Sequence, residues 1–231
     1  MTVARDGAGQ IGFGIVTRMK QRIAVVDYGM GNLRSVAKAL ERVAPEAEIV
    51  VSADPAQIAS AARVVFPGQG AMPDCMHELR ARGLVQPVMD AARAKPFLGI
   101  CIGLQMLFER SEEGDTPGLG LILGKVRRFP ARISDSSGKA RLKVPHMGWN
   151  EVEQSAPHAL WRDIENGARF YFVHSYYADE AVPGVRSGAT HYGVLFTSAV
   201  ARGNIFAVQF HPEKSQSAGL QILRNFVNWR P

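Results

Sequence analysis

The stretch Pro96-Phe97-Leu98-Gly99-Ile100-Cys101-Ile102-Gly103-Leu104-Gln105 decides the fold. Its first half is a short apolar run of the kind that forms a strand buried on both faces of a parallel sheet. A cysteine then stands between two glycines, each two residues away, and a helix-like segment from Leu104 to Glu109 follows. A chain that turns this sharply from strand to helix has no space for side chains beside the turn, and Gly99 and Gly103 meet that need. The turn lifts the Cys101 sulfur to the carboxyl edge of the sheet and sets it at a helix N-terminus, where the dipole favours a thiolate. Alone, the pattern also fits an inert core cysteine, because free cysteine is among the most buried residue types.

Working outward, strands and helices alternate from residue 22. Ile23 to Asp27 reads as a strand, Tyr28-Gly29-Met30-Gly31-Asn32 as a glycine turn, and Leu33 to Val43 as a helix. Glu48 to Val51 is a second strand, Pro55 to Ser60 a short helix, and Arg63 to Phe66 a third strand ending in the loop Pro67-Gly68-Gln69-Gly70. Met72, Met76, Leu79 and Leu84 mark a helical face before Pro87, and Val88 to Ala94 marks another. Beyond residue 120 the segments are shorter and β-rich: Gly124 to Phe129, Asn150 to Glu153, Arg169 to Val173, Gly193 to Ala199 and Asn204 to Gln209, with a last helix from Ala218 to Trp229. The order predicts an α/β fold with a mostly parallel central sheet, helices on both faces and an antiparallel, β-rich second half. Residues 22–231 read as one domain and residues 1–21 as a poorly ordered extension, with Met19 a plausible translation start.

Composition narrows the function classes. With 231 residues, 46% of them hydrophobic, the chain can bury a full core. Net charge is +6, and Arg5, Arg18, Lys20 and Arg22 against Asp6 supply about half of it. The remainder has no long basic cluster, which argues against a nucleic-acid partner. Two cysteines, Cys75 and Cys101, make no disulfide framework and suit a reducing cytoplasm. No apolar run approaches the ~20 residues needed to cross a bilayer. His146, His158, His174 and His191 lack metal-ligand spacing, so neither a metal nor a cofactor is expected.

The chemistry of Cys101 is completed by His211-Pro212-Glu213. Residues two apart on an extended segment share one face, and Pro212 excludes a helix interior. His211 then serves as base and Glu213 as the group that orients it, which gives the three roles of a covalent mechanism. The Ile102 amide is the expected first oxyanion donor, and the Gly68-Gln69-Gly70 loop can bring a second N–H close, although a plain strand-to-helix turn would look the same. Cys75 reads as packing among Met72, Met76 and Leu79, and His77, between Asp74 and Glu78, as part of a solvated helix face.

Cys101 with its glycines and Gln105, together with His211-Pro212-Glu213, resembles the class I, triad-type glutamine amidotransferases. The blocks Asp27-Tyr28-Gly29-Met30-Gly31-Asn32-Leu33, Pro145-His146-Met147-Gly148-Trp149-Asn150, His174-Ser175-Tyr176 and Glu213-Lys214-Ser215 are similar to the branch formed by the glutaminase subunits of imidazole glycerol phosphate synthases. The resemblance implies that Cys101 attacks the glutamine carboxamide, that Gln105, Ser175 and Tyr176 hold the substrate, and that ammonia passes to a separate (β/α)8 cyclase subunit in histidine biosynthesis. It implies a heterodimer in the cytoplasm, without a cofactor, whose partner-facing side carries Met30, Asn32, Met147, Trp149, Asn150 and Lys214. Met30 departs from the branch, which often has proline there. The nearest rivals are the glutaminase of another synthase, such as the one making pyridoxal phosphate, and a non-catalytic scaffold on the same fold.

Overall fold

A computed structural model describes residues 20–135, 140–180 and 182–231. Residues 1–19 of the expected extension, Met19 included, lie outside them. In chain order the first half contains β1 (Arg22–Val26), α1 (Leu33–Val43), β2 (Glu48–Ser52), α2 (Pro55–Ser60), β3 (Arg63–Gly68), α3 (Met72–Ala81), α4 (Val85–Ala94), β4 (Phe97–Cys101) and α5 (Ile102–Gln105). The second half contains β5 (Phe108–Ser111), β6 (Thr116–Pro117), β7 (Ile122–Arg128), β8 (His146–Glu151), β9 (Glu153–Gln154), β10 (Arg169–His174) and β11 (Tyr176–Glu180). It closes with β12 (Arg186–Tyr192), β13 (Val194–Arg202), β14 (Ile205–Val208) and α6 (Gln216–Asn228).

The main sheet runs β2-β1-β3-β4-β14-β13-β11-β7-β5-β6, with β12 and β9 branching from β13. Its first five strands are mutually parallel. The chain steps outward from β1 to β2, then back across to β3 and β4. Right-handed crossovers therefore place α1 on one face and α2 to α4 on the other. In keeping with this, α1 packs against α6 and α2 against α4. The late strand β14 inserts beside β4, pairing Val208 with Ile100, while β3 pairs Gly68 with Cys101 on the other side. Three carboxyl ends thus meet at one edge, where sites form in open α/β sheets.

Strands of the second half pair with one another antiparallel apart from β5 and β7, and β8 and β10 form a separate two-stranded sheet. The inner parallel strands are covered on both faces: β1 from Ile23 to Val26 and all of β3 and β4 are buried. Tyr28, Phe66 and Phe97 pack through this core as tilted rings with centroids 5.5 and 5.8 Å apart, each such ring contributing about 2 kcal/mol or more by burial. No helix among the described residues is long and apolar enough to cross a membrane.

Three local expectations change. The helix expected from Leu104 to Glu109 is a single turn, because the Met106 and Leu107 carbonyls are taken by the amides of Leu119, Leu121 and Ile122, and Phe108 starts β5. Pro67 and Gly68 extend β3 instead of opening a loop. Pro87 lies inside the first turn of α4, where its missing N–H costs no intrahelical bond.

Candidate active site

Cys101 ends β4 with φ 55° and ψ −112°, a conformation that non-glycine residues rarely adopt. The turn is possible because its neighbours have no side chains. A Cβ on Gly103 would lie 1.9 Å from the Phe66 carbonyl oxygen, and one on Gly99 would lie 2.9 Å from the Ala207 Cβ. The sulfur-bearing residue is only 4% exposed. With just one helical turn after it, the dipole behind the sulfur is much weaker than a long helix would supply. Charge at the sulfur therefore depends on nearby side chains.

His211 is the first of these. Its Nδ1–H donates to Glu213 Oε1 at 2.9 Å, and both side chains are almost fully buried, at 3% and 1% exposure. The extended geometry expected for this pair does not occur, because Pro212–Lys214 form a 3-10 turn and His211 caps it. The contact survives because the tight turn folds Glu213 back under the imidazole. Ser215 fixes the geometry: its hydroxyl donates to the His211 carbonyl at 2.6 Å and accepts from the Tyr171 amide at 2.9 Å. Burial alone would depress the His211 pKa, but the negative charge available at Cys101 and the Glu213 carboxylate outweigh it and raise the value to about 10. Nε2 has no hydrogen-bond partner and stays available for a proton in transit.

Cys101, Ile102, Gln105, Gln69, Gly70, Ser175, Tyr176 and His211 line one cavity of about 320 Å³. Gly68 lies beside it in register with Cys101, and a Cβ there would come within 2.7 Å of the Ile102 Cβ. Tyr28 ties down the same strand end, its hydroxyl donating to the Pro67 carbonyl at 2.9 Å. Gln105 is buried, and its Nε2 donates to the Tyr176 carbonyl at 3.1 Å and to Gln209 Oε1 at 2.9 Å. Its own Oε1 has no partner, a free acceptor at the cavity.

The candidate interface residues separate into groups. Met147 and Trp149 are 62% and 38% exposed on β8. Trp149 meets the Tyr171 ring edge-on, and Lys214 Nζ lies 6.0 Å above the same ring, so these four form one surface. Asn150 sits on the opposite face of β8 and donates to the His191 carbonyl at 3.0 Å. Asn32 occupies the N-cap position of α1 without a side-chain cap bond. Met30 and Gly31 pack beside Gly70 and Gly68, next to the catalytic edge.

Cys75 is fully buried, with burial pushing its thiol up to about 11 and its sulfur donating to the Gln69 carbonyl. His77 is exposed. Among the described residues no cluster of His, Cys, Asp and Glu could hold a metal ion. Sequence reasoning missed Gln209, Ser215 and a buried histidine pair. Gln209 Nε2 lies 3.7 Å from Cys101 Sγ, and its only signal was an amide two positions before His211. His146 and His174 face each other across β8 and β10 at 2.9 Å, which one-dimensional spacing does not reveal.

The family model for class-I glutamine amidotransferases matches residues 24–229. The imidazole glycerol phosphate synthase subunit HisH of Thiobacillus denitrificans is 62% identical over 213 residues, covering 92% of this chain and 93% of that protein. The subunit of the same name from Dechloromonas aromatica is 62% identical over 216 residues, covering 94% and 100%. Among solved structures, a glutamine amidotransferase superposes with a TM-score of 0.65 at 18% identity, covering 89% of this chain and 97% of that one. Another, from Thermotoga maritima, gives 0.56 at 16%, covering 83% and 76%. These structural likenesses concern the fold.

Proposed function

The chain belongs to the class I glutamine amidotransferases, and from that premise we propose that it is the glutaminase subunit of an imidazole glycerol phosphate synthase. It hydrolyses glutamine to glutamate and ammonia and passes the ammonia to a separate cyclase subunit. That subunit makes imidazole glycerol phosphate and aminoimidazole carboxamide ribotide in histidine biosynthesis. Residues 22–231 act as one amidotransferase domain, in the cytoplasm, where two free thiols remain reduced.

The observation that carries the reading is Cys101 in its strained turn, with His211 beside it and Glu213 under the imidazole. The thiolate attacks the carboxamide carbon, forming a C–S bond as the carbonyl π pair moves to oxygen. The Ile102 amide and the Gly68-Gln69-Gly70 segment stabilise that oxyanion, each donor worth about 3 kcal/mol. Collapse breaks the C–N bond, and ammonia leaves with the proton that His211 supplies. Water then attacks the thioester with His211 as base, releasing glutamate and restoring the thiolate. Gln105, Ser175 and Tyr176 hold the substrate. Met147, Trp149 and Lys214, with Met30 and Asn32 at the first turn, face the cyclase, and Asn150 braces β8 behind them.

The test is glutamate release by the chain alone and with the cyclase subunit and its ribulosyl ligand. Stimulation by both is expected. Cys101→Ala abolishes glutamine-dependent synthesis and spares synthesis from free ammonia in the assembled complex. Loss of both activities in a folded complex would overturn the division of labour. Glutamate release indifferent to the cyclase would move the chain to another synthase.

A further inference from the structure

We propose that Gln209 is a further catalytic residue of this glutaminase, whose side-chain amide donates to the Cys101 sulfur and holds it as a thiolate beside His211. The inference rests on the glutaminase reading for its purpose, but its geometry stands apart from it. Gln209 is fully buried just past the end of β14, the strand that pairs with the nucleophile's own. Its Nε2 lies 3.7 Å from Cys101 Sγ, within hydrogen-bonding reach of a sulfur acceptor. A buried amide must find partners for both its ends.

The orientation of that amide is forced by a chain of donors and acceptors. The Tyr176 backbone carbonyl can only accept, so the Gln105 atom 3.1 Å from it is nitrogen. That same nitrogen lies 2.9 Å from Gln209, so the Gln209 atom facing it is the oxygen. The Gln209 nitrogen therefore faces the sulfur. A flipped amide would put two donors together and turn oxygen lone pairs on the thiolate. The Tyr176 carbonyl is fixed in turn by His174 Nδ1–H at 2.8 Å.

Other titratable groups around the sulfur are His211 with Glu213 behind it, Tyr28 just after β1, Cys75 from α3, and Glu113, His174 and Tyr176 on the wall of the same cavity. None of these duplicates the role of an uncharged N–H aimed at sulfur. Losing one hydrogen bond to the charged form shifts a titration by about one pH unit. The thiolate population then drops about tenfold below the midpoint, while each thiolate becomes about threefold more nucleophilic. The two effects oppose each other, and that opposition is diagnostic.

The experiment measures the pH dependence of Cys101 alkylation by iodoacetamide, read by peptide mass so that Cys75 is scored separately. It is run in parallel with kcat and KM for glutamine in the complex with the cyclase. Gln209→Met, similar in size and without a donor, is expected to shift the profile up by about one unit. Labelling becomes about threefold slower on the acid side and about threefold faster on the alkaline plateau. On the acid side of the profile kcat falls about threefold as well. Gln209→Glu, which sets a carboxylate beside the sulfur, moves the profile further in the same direction. If Gln209→Met does not fold, Gln105→Met frees the Gln209 amide to rotate and should shift the profile the same way by less. Profiles that overlay the wild type in a folded variant overturn the proposal. A shifted profile in a complex that releases no glutamate supports the sulfur donor and removes the glutaminase reading. Normal glutamate release with an unmoved profile does the reverse.

Discussion

Two buried histidine environments lie close together in this molecule and have opposite electrostatics. At the catalytic edge, His211 is buried against a carboxylate and a thiol, and its pKa is raised to about 10. At the cavity wall and behind it, His174 and His146 are buried among Phe129, Phe172, Tyr192 and Phe196, with His146 stacked on Tyr192 at 3.9 Å. Burial lowers their values to about 4 and about 3. All three imidazoles are nearly inaccessible, so burial alone does not decide the charge. What decides it is the partner: the negative charge available at Cys101 and the Glu213 carboxylate together favour the cation, whereas the paired histidines face each other and neutral groups. Their tautomers follow. His174 donates from Nδ1 to the Tyr176 carbonyl, so its Nε2 accepts from His146 Nδ1–H, and His146 Nε2 accepts from Asn150. The first environment moves protons; the second keeps a neutral scaffold behind Gln105.

The sharpest way to break the contrast is Glu213→Gln, which makes the catalytic environment resemble the neutral one. Glutamine hydrolysis should fall by about 10³-fold or more, as for a triad histidine released from its tautomer. The His211 titration, followed by imidazole NMR, should drop below about 10, with Cys101 keeping part of the upward shift. An unchanged titration would mean that Cys101 alone holds the proton. The next effect concerns stability. The unfolded chain binds protons on His146 and His174 below pH 6.5, whereas the folded chain resists until about 4 and about 3. Stability from this pair is complete above pH 6.5 and is lost as pH falls through the folded values. Moving from pH 7.5 to 5.0 should cost about 2 kcal/mol per imidazole, and His146→Gln should remove one share, measured as urea midpoints. Identical pH sensitivity in the two proteins would break the account. The contribution of His211 has the opposite sign, present below 6.5 and lost as pH rises through about 10. The smallest effect is outside both environments. Trp149→Ala should weaken association with the cyclase about tenfold, read by titration calorimetry, and leave the melting temperature nearly unchanged.

The same contrast explains what the sequence could and could not reveal. The Cys101 turn was legible because two glycines and an apolar strand leave few other conformations, and the alternation of segments led to the parallel sheet. The helix after Cys101 was misread because its length is set by backbone bonds to residues 119–122, a tertiary effect that the apolar spacing of Leu104 and Leu107 does not contain. His211 and Glu213 were paired for the wrong local reason: a 3-10 turn brings them together where an extended segment was expected. The histidine pair was out of reach because its register arises across two strands 28 residues apart. Gln209 carried chemistry without a motif, since an amide at a strand end signals nothing until its neighbours are placed.

One consequence concerns the mutational freedom of the chain. The Phe66 carbonyl oxygen occupies the place where even the smallest side chain at position 103 would begin. Alanine is the least step away from glycine, so no series of tolerated intermediates leads to any other residue there. In a library of single substitutions, position 103 should return glycine alone, while exposed positions such as Met147 vary freely when selection is for folding. The turn is a fixed point about which the rest of the sequence can drift.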